Sequence, residues 1–169
     1  TGMCIDYRDN SYYLVDYLGN FYSFDPSIPS ATLVGYTGFN QLIAVTGAGD
    51  NNIYAYTIGS DELIKIDPAT GIGTLIGSIG FNANFGQGMA YDQTNDKVYM
   101  SAYNLDAGQA ELRTVDLATG SSTLVGAIGI PGTTQFGTIC LPVSNAQPLG
   151  YNIYRDYALI AFSSTNSYL

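Results

Sequence analysis

The chain is written in short apolar runs separated by clusters of Asp, Asn, Gly, Thr and Pro. In one stretch the runs are "GMAYD", "KVYMSAY", "ELRTVDL" and "STLVGAI", rich in Val, Leu, Ile, Tyr and Met. Short β-branched and aromatic runs bounded by turn-forming residues predict strands joined by tight hairpins. "DQTND" reads as the turn between the first two runs, and "DLATG" as the turn between the last two. In such turns Asp accepts backbone N–H bonds and Gly supplies a positive φ.

The pattern repeats. "IDPATGIGTLIGSIG" from Ile66 returns as "VDLATGSSTLVGAIG" from Val115, and a looser copy, "FDPSIPSATLVGYTG", starts at Phe24. The anchors Leu33-Val34-Gly35, Leu75-Ile76-Gly77 and Leu124-Val125-Gly126 lie 42 and 49 residues apart, as do the corners at Asp25, Asp67 and Asp116. Tyr13, Tyr54 and Tyr99 recur upstream, and "GMCIDYRDNSYYLV" aligns without a gap on "GMAYDQTNDKVYMS". Four antiparallel strands in ~40–50 residues, written repeatedly, are the unit of a β-propeller. One such sheet buries neither face alone and must stack on its own likeness.

The predicted fold is therefore all-β: a propeller-type array of four-stranded blades over residues 1–40, 41–84 and 85–130. "FGTICLPV" at 136–143 reads as the first strand of a fourth blade. Closed rings usually need four to eight blades. The chain is thus expected to be a piece of a longer ring, half of a two-chain ring, or a ring whose fourth blade comes from the tail at 144–169.

The phrase "IDPATG" followed by "TLIGSIG" resembles the YVTN/NHL-like and related propeller repeats of bacterial surface and secreted proteins. The tail, "GYNIYRDYALIAFSSTNSY", resembles the middle strands of fibronectin type III-like modules in large exported bacterial proteins, with "NAQP" at Asn145–Pro148 as the linker. The alternative makes Tyr151–Asp156 and Leu159–Ser163 strands of blade four. The first resemblance implies a propeller in an extracellular or cell-surface protein of bacterial origin.

Composition narrows the partners. The 169 residues are 46% hydrophobic, enough for one domain burying roughly 70% of its unfolded surface. Fourteen acids against five bases give a net charge of -9. Arg8, Lys65, Lys97, Arg113 and Arg155 are scattered, so no basic patch exists to hold nucleic acid or an anionic membrane. No apolar run is long enough to span a bilayer. The chain has no His, which removes Ser-His-Asp and Cys-His catalysis within it. Cys4 and Cys140, on innermost strands three blades apart, read as buried free thiols held apart across the channel. No cofactor is implied.

The two glutamates, Glu62 and Glu111, fall at equivalent positions before the third strand and read as surface residues. "GAGDNN" at Gly47–Asn52 lacks the Gly-Lys-Ser/Thr ending of a phosphate loop and reads as a turn. Asp6, Asp9, Asp92 and Asp96 are weak calcium candidates, since five-residue turns offer too few oxygens. The better binding candidates lie in the loops entering each inner strand. There Gly-Phe-Asn occurs twice, giving Phe39, Asn40, Phe81 and Asn82, and an amide precedes each inner strand at Gln41, Gln87 and Gln135. Amides beside aromatics suit a glycan or a protein backbone; alternatively Phe39 and Phe81 plug the gaps between blades. The leading expectation is a non-catalytic binding or adhesion module. A fragment of a propeller lyase or glycosidase, with its catalytic residues elsewhere, is the second. A structural repeat associating through open blade edges is the third.

Overall fold

The computed structural model describes residues 1–141 and, beyond them, the backbone of strands 151–155 and 158–163. Among these residues there is no helix. Blade one is β1 (Gly2–Ile5), β2 (Tyr12–Val15), β3 (Asn20–Asp25) and β4 (Ser30–Tyr36). Blade two is β5 (Leu42–Gly47), β6 (Ile53–Thr57), β7 (Glu62–Ile66) and β8 (Gly73–Ser78). Blade three is β9 (Gly88–Asp92), β10 (Lys97–Asn104), β11 (Gln109–Val115) and β12 (Ser122–Ile128). Each is an antiparallel sheet in sequential order. The inner strand β5 packs against both β1 and β9, which sets the three sheets around one axis.

The turns repeat as closely as the strands. The β1–β2, β5–β6 and β9–β10 hairpins each turn on one left-handed residue, Asn10 (φ 62), Asn51 (φ 63) and Asp96 (φ 50). Asn and Asp tolerate that region through local hydrogen bonding. This common point places Arg8 and Asp9 opposite Gly49 and Asp50 in the next copy.

Two cores fill the seams. Between blades one and two, Ile53, Ala55, Ile64 and Ile66 meet Val15 and Phe21, with Cys4, Tyr13, Val34 and Phe39 packed at the margin. Between blades two and three, Ala44, Tyr54, Tyr56 and Leu63 meet Met89, Val98, Met100, Ala102 and Val115. The period-2 pattern of β6 serves both: Ile53 and Ala55 face one seam, Tyr54 and Tyr56 the other.

The recurring phrase now has a physical cause. Its two halves complement each other across a seam. A Cβ on Gly35 would sit 2.1 Å from the Thr70 carbonyl oxygen of the next blade's Ala-Thr-Gly turn, and one on Gly77 would sit 2.3 Å from that of Thr119. Only glycine admits such an approach. Beside these contacts, Gly73 N–H donates to Thr37 O (2.9 Å) and Ser122 N–H to Ile79 O (3.1 Å), at matching positions of successive copies.

Residues 136–141 form no ladder. They run against β9, where a Cβ on Gly88 would meet Thr138 Cα at 2.6 Å. In the tail, β13 (Tyr151–Arg155) and β14 (Ala158–Ser163) pair antiparallel. That hairpin is common to both readings of the tail; the linker at Asn145–Pro148 lies outside the described residues.

Candidate functional site

The loops entering the inner strands hold their candidate residues in different surroundings. Gln87 is buried: its Oε1 accepts from the Tyr56 hydroxyl (2.6 Å) and its Nε2 donates to Asn84 O (2.7 Å). Gln41 holds a left-handed turn (φ 57), and a Cβ on Gly59 would lie 2.5 Å from its Oε1. Gln135 is exposed. Phe39 packs on the first seam and Phe81 on the second. Asn40 accepts from the Tyr36 hydroxyl (3.0 Å), and Asn82 donates to Asp106 (3.1 Å). The three amides thus differ in exposure and partner although their sequence positions match.

Each calcium candidate is engaged in its own hairpin. Asp6 is buried and paired with Arg8. Asp9 accepts from Ser11 N–H, Asp92 from Thr94 N–H and Asn95, and Asp96 from the Tyr91 hydroxyl. Among the described residues no three acidic, Cys or His side chains lie close enough together to hold a metal ion.

Two expectations need correction. Glu111 is not a surface residue: it lies inside β11, 2% exposed, paired with Arg113 and accepting from Asn104 and Gln109 (3.3 Å each). Arg113 donates to Ser122 Oγ (2.9 Å) and lies 4.5 Å over the Phe81 ring. The loop between blades two and three closes over the pair, which sequence spacing alone does not reveal. Cys140 is exposed, because it sits on the unpaired 136–141 segment; Cys4 is half-buried. Both are free, but they are not held apart across a channel: they line the same cavity of about 200 Å³ beside Met3, Val45 and Met89. Burial, with Asp6 nearby, pushes the Cys4 thiol up to about 12.

A larger opening lies where the second seam meets the hairpin turns. It is a cleft of about 670 Å³ walled by Gly49, Asp50 and Tyr54 from blade two and by Tyr91, Asp96, Lys97 and Asp116–Ala118 from blade three. That volume falls in the range of small-ligand sites. Two tyrosine–aspartate pairs frame it: Tyr54 donates to Asp50 (2.5 Å) and Tyr91 to Asp96 (2.8 Å). Burial and the hydrogen bond to Asp96 push Tyr91 up to about 12, so it stays a neutral donor. Burial opposes ionisation of Asp50, but hydrogen bonds from Tyr54 and Asn52 outweigh it and hold the carboxyl below its usual range. Asp116 is held low by the Ala118 N–H and the Thr119 hydroxyl. Of these residues, the sequence points to Asp96 as a weak calcium candidate, to Tyr54 and Asp116 as anchors of the repeat, and to Gly49 and Asp50 as parts of a turn. The missed signal is the Gly49 that replaces the arginine of the first hairpin.

No family model and no curated protein matches the chain. Its likeness is to solved structures. A nidogen/laminin complex superposes with a TM-score of 0.60 at 11% identity, over 77% of this chain and 49% of that one. A structural genomics protein of unknown function from Bacteroides thetaiotaomicron gives 0.57 at 18%, over 79% and 36%. Kuenenia stuttgartiensis hydrazine synthase gives 0.53 at 11%, over 73% and 34%. The chain spans about half the length of the first and about a third of the others. At these identities the likeness concerns fold alone: the three sheets are arranged as blades of a β-propeller-type array.

Proposed function

We propose that the chain is a non-catalytic binding module of a larger, exported bacterial surface protein, and that it holds a protein or glycan ligand at the seam between blades two and three. The observation that carries this reading is the cleft: an open depression where two tyrosines, three aspartates and one lysine converge from three turns. Aromatic faces beside hydrogen-bonding groups are the usual makings of a recognition site. A nidogen/laminin complex among the similar structures favours a protein ligand. Export and surface attachment rest on the sequence resemblance.

The test is retention on immobilised chain of members of a glycan array and a peptide array. Tyr91→Ala should abolish retention, and Gln135→Ala should leave it intact. Retention lost with Gln135→Ala and kept with Tyr91→Ala would return the site to the loops entering the inner strands.

The self-associating reading has its own observation. The leading face of blade one shows Met3 at 59% and Leu33 at 58% exposure, with Leu14, Tyr22 and Ala31 lining a cleft of about 500 Å³. Sedimentation equilibrium distinguishes it: a concentration-dependent mass above 18.0 kDa favours it, and a constant 18.0 kDa removes it.

A further inference from the structure

We infer that the cleft between blades two and three is a socket for a cationic side chain, an arginine or lysine presented by a partner polypeptide. The inference rests on the binding reading above and names the chemistry of that site.

The equivalent hairpin of the first seam supplies the comparison, because there the chain carries its own cation. Arg8 stands two residues before the left-handed Asn10 and pairs with Asp6. Asp67 is held low by the Ala69 N–H and Thr70, and the Arg8 charge adds to the effect. Asp67 and Asp116 are the same corner of successive copies. In the first seam that corner lies within range of the Arg8 charge; in the second it borders the open cleft.

The second hairpin does not supply a cation at that position. Its residue two before the left-handed position is Gly49, where a Cβ would come within 1.9 Å of the Tyr91 hydroxyl. The tyrosine therefore stands where an arginine stem would leave the backbone. What remains is a cleft with three carboxylates, Asp50, Asp96 and Asp116, against one cation, Lys97. Lys65 lies close enough to Asp50 to help hold it ionised, yet does not line the opening. Tyr91, partly exposed at the cleft, supplies an aromatic ring that can attract a guanidinium or ammonium through its quadrupole. The chain's net charge of -9 draws a basic partner toward the surface at a distance.

The experiment is a titration of the ¹⁵N-labelled chain with Nα-acetyl-arginine amide, its uncharged isostere Nα-acetyl-citrulline amide, and glucosamine. Arginine amide should shift the Gly49, Lys97 and Leu117 amides saturably. Citrulline amide should bind roughly tenfold more weakly, the scale of a cation–π contact combined with a charge-assisted hydrogen bond. Asp96→Asn and Asp116→Asn should each weaken arginine binding while leaving the remaining spectrum in place, since asparagine suits both turns. Equal binding of arginine and citrulline amides, or glucosamine binding there without arginine, would overturn the inference and leave the binding module standing. Silence of the cleft amides toward all three probes and toward the retained array ligands would overturn both.

Discussion

The two seams of this array are built from the same repeat and differ at a few positions. In the first, blade two presents Ile53, Ala55, Ile64 and Ile66, all fully buried. In the second, the matching residues of blade three are Val98, Met100, Arg113 and Val115. One aliphatic side chain has become an arginine, paired with a buried Glu111 and roofed by Phe81. At the turn end, Arg8 has given way to Gly49, and the notch stands open. Agreement with the repeat makes the fold; departure from it makes the features that distinguish one blade from another.

The largest effects should come from the seam cores. Ile64→Ala should cost about 2–5 kcal/mol in denaturant unfolding, through lost burial and a cavity. Glu111→Ala should cost about 3–5 kcal/mol, because Arg113 keeps its burial and loses its countercharge. Replacing the pair with the aliphatic double change Glu111→Leu, Arg113→Ile should return most of that loss, since aliphatic replacement of a buried pair is often neutral or better. A double variant as damaged as Glu111→Ala would break the equivalence of the two seams.

Glycine at the outer strand offers a sharper contrast. Gly77→Ala should destabilise by about 1–3 kcal/mol, since its Cβ collides with the Thr119 carbonyl. Gly126, the same word of the repeat, has no described neighbour within 4 Å, and Gly126→Ala should change stability by no more than about 1 kcal/mol. Equal penalties would mean that the glycine serves its own hairpin and not the seam.

Acid should weaken the turns more gently. Asp16, Asp50, Asp67, Asp92 and Asp116 are all held below the ordinary carboxylate value. Their contribution is fully present above the unfolded pKa of about 3.9 and is lost as pH falls through the folded values. Asp61, raised by burial, runs the other way. Thermal melts should therefore show Tm falling below about pH 4 and flat above pH 5; a Tm that rises on acidification would contradict the turn assignments. The smallest readout is thiol chemistry. At pH 8 in the native state Cys140 should react with a disulfide reagent, while Cys4, pushed up to about 12, should wait for unfolding.

The blades were legible in the sequence because each strand carries a period-2 apolar pattern and each turn carries Asp, Asn or Gly where a positive φ is needed. The anchors at Gly35, Gly77 and Gly126 located the outer strands in all three copies. The binding candidates were less legible. Gln87 reads like Gln135 in one dimension; only the fold brings Tyr56 to one and leaves the other exposed. Glu111 and Arg113 share a strand face through i, i+2 spacing, but whether that face meets water depends on the connection at 79–87 closing over it. The cleft is assembled from three turns of two blades, so no single motif announces it.

The central claim is that each sheet is protected by the neighbours that cover its two faces. Native-state hydrogen exchange at low micromolar concentration tests it most directly. The slowest amides should lie in β6 and β7, covered on both sides, with β10 and β11 close behind. Those of β2 and β3, covered on one side, should exchange measurably faster. Protection in blade one equal to or above that in blade two would contradict the stacking account.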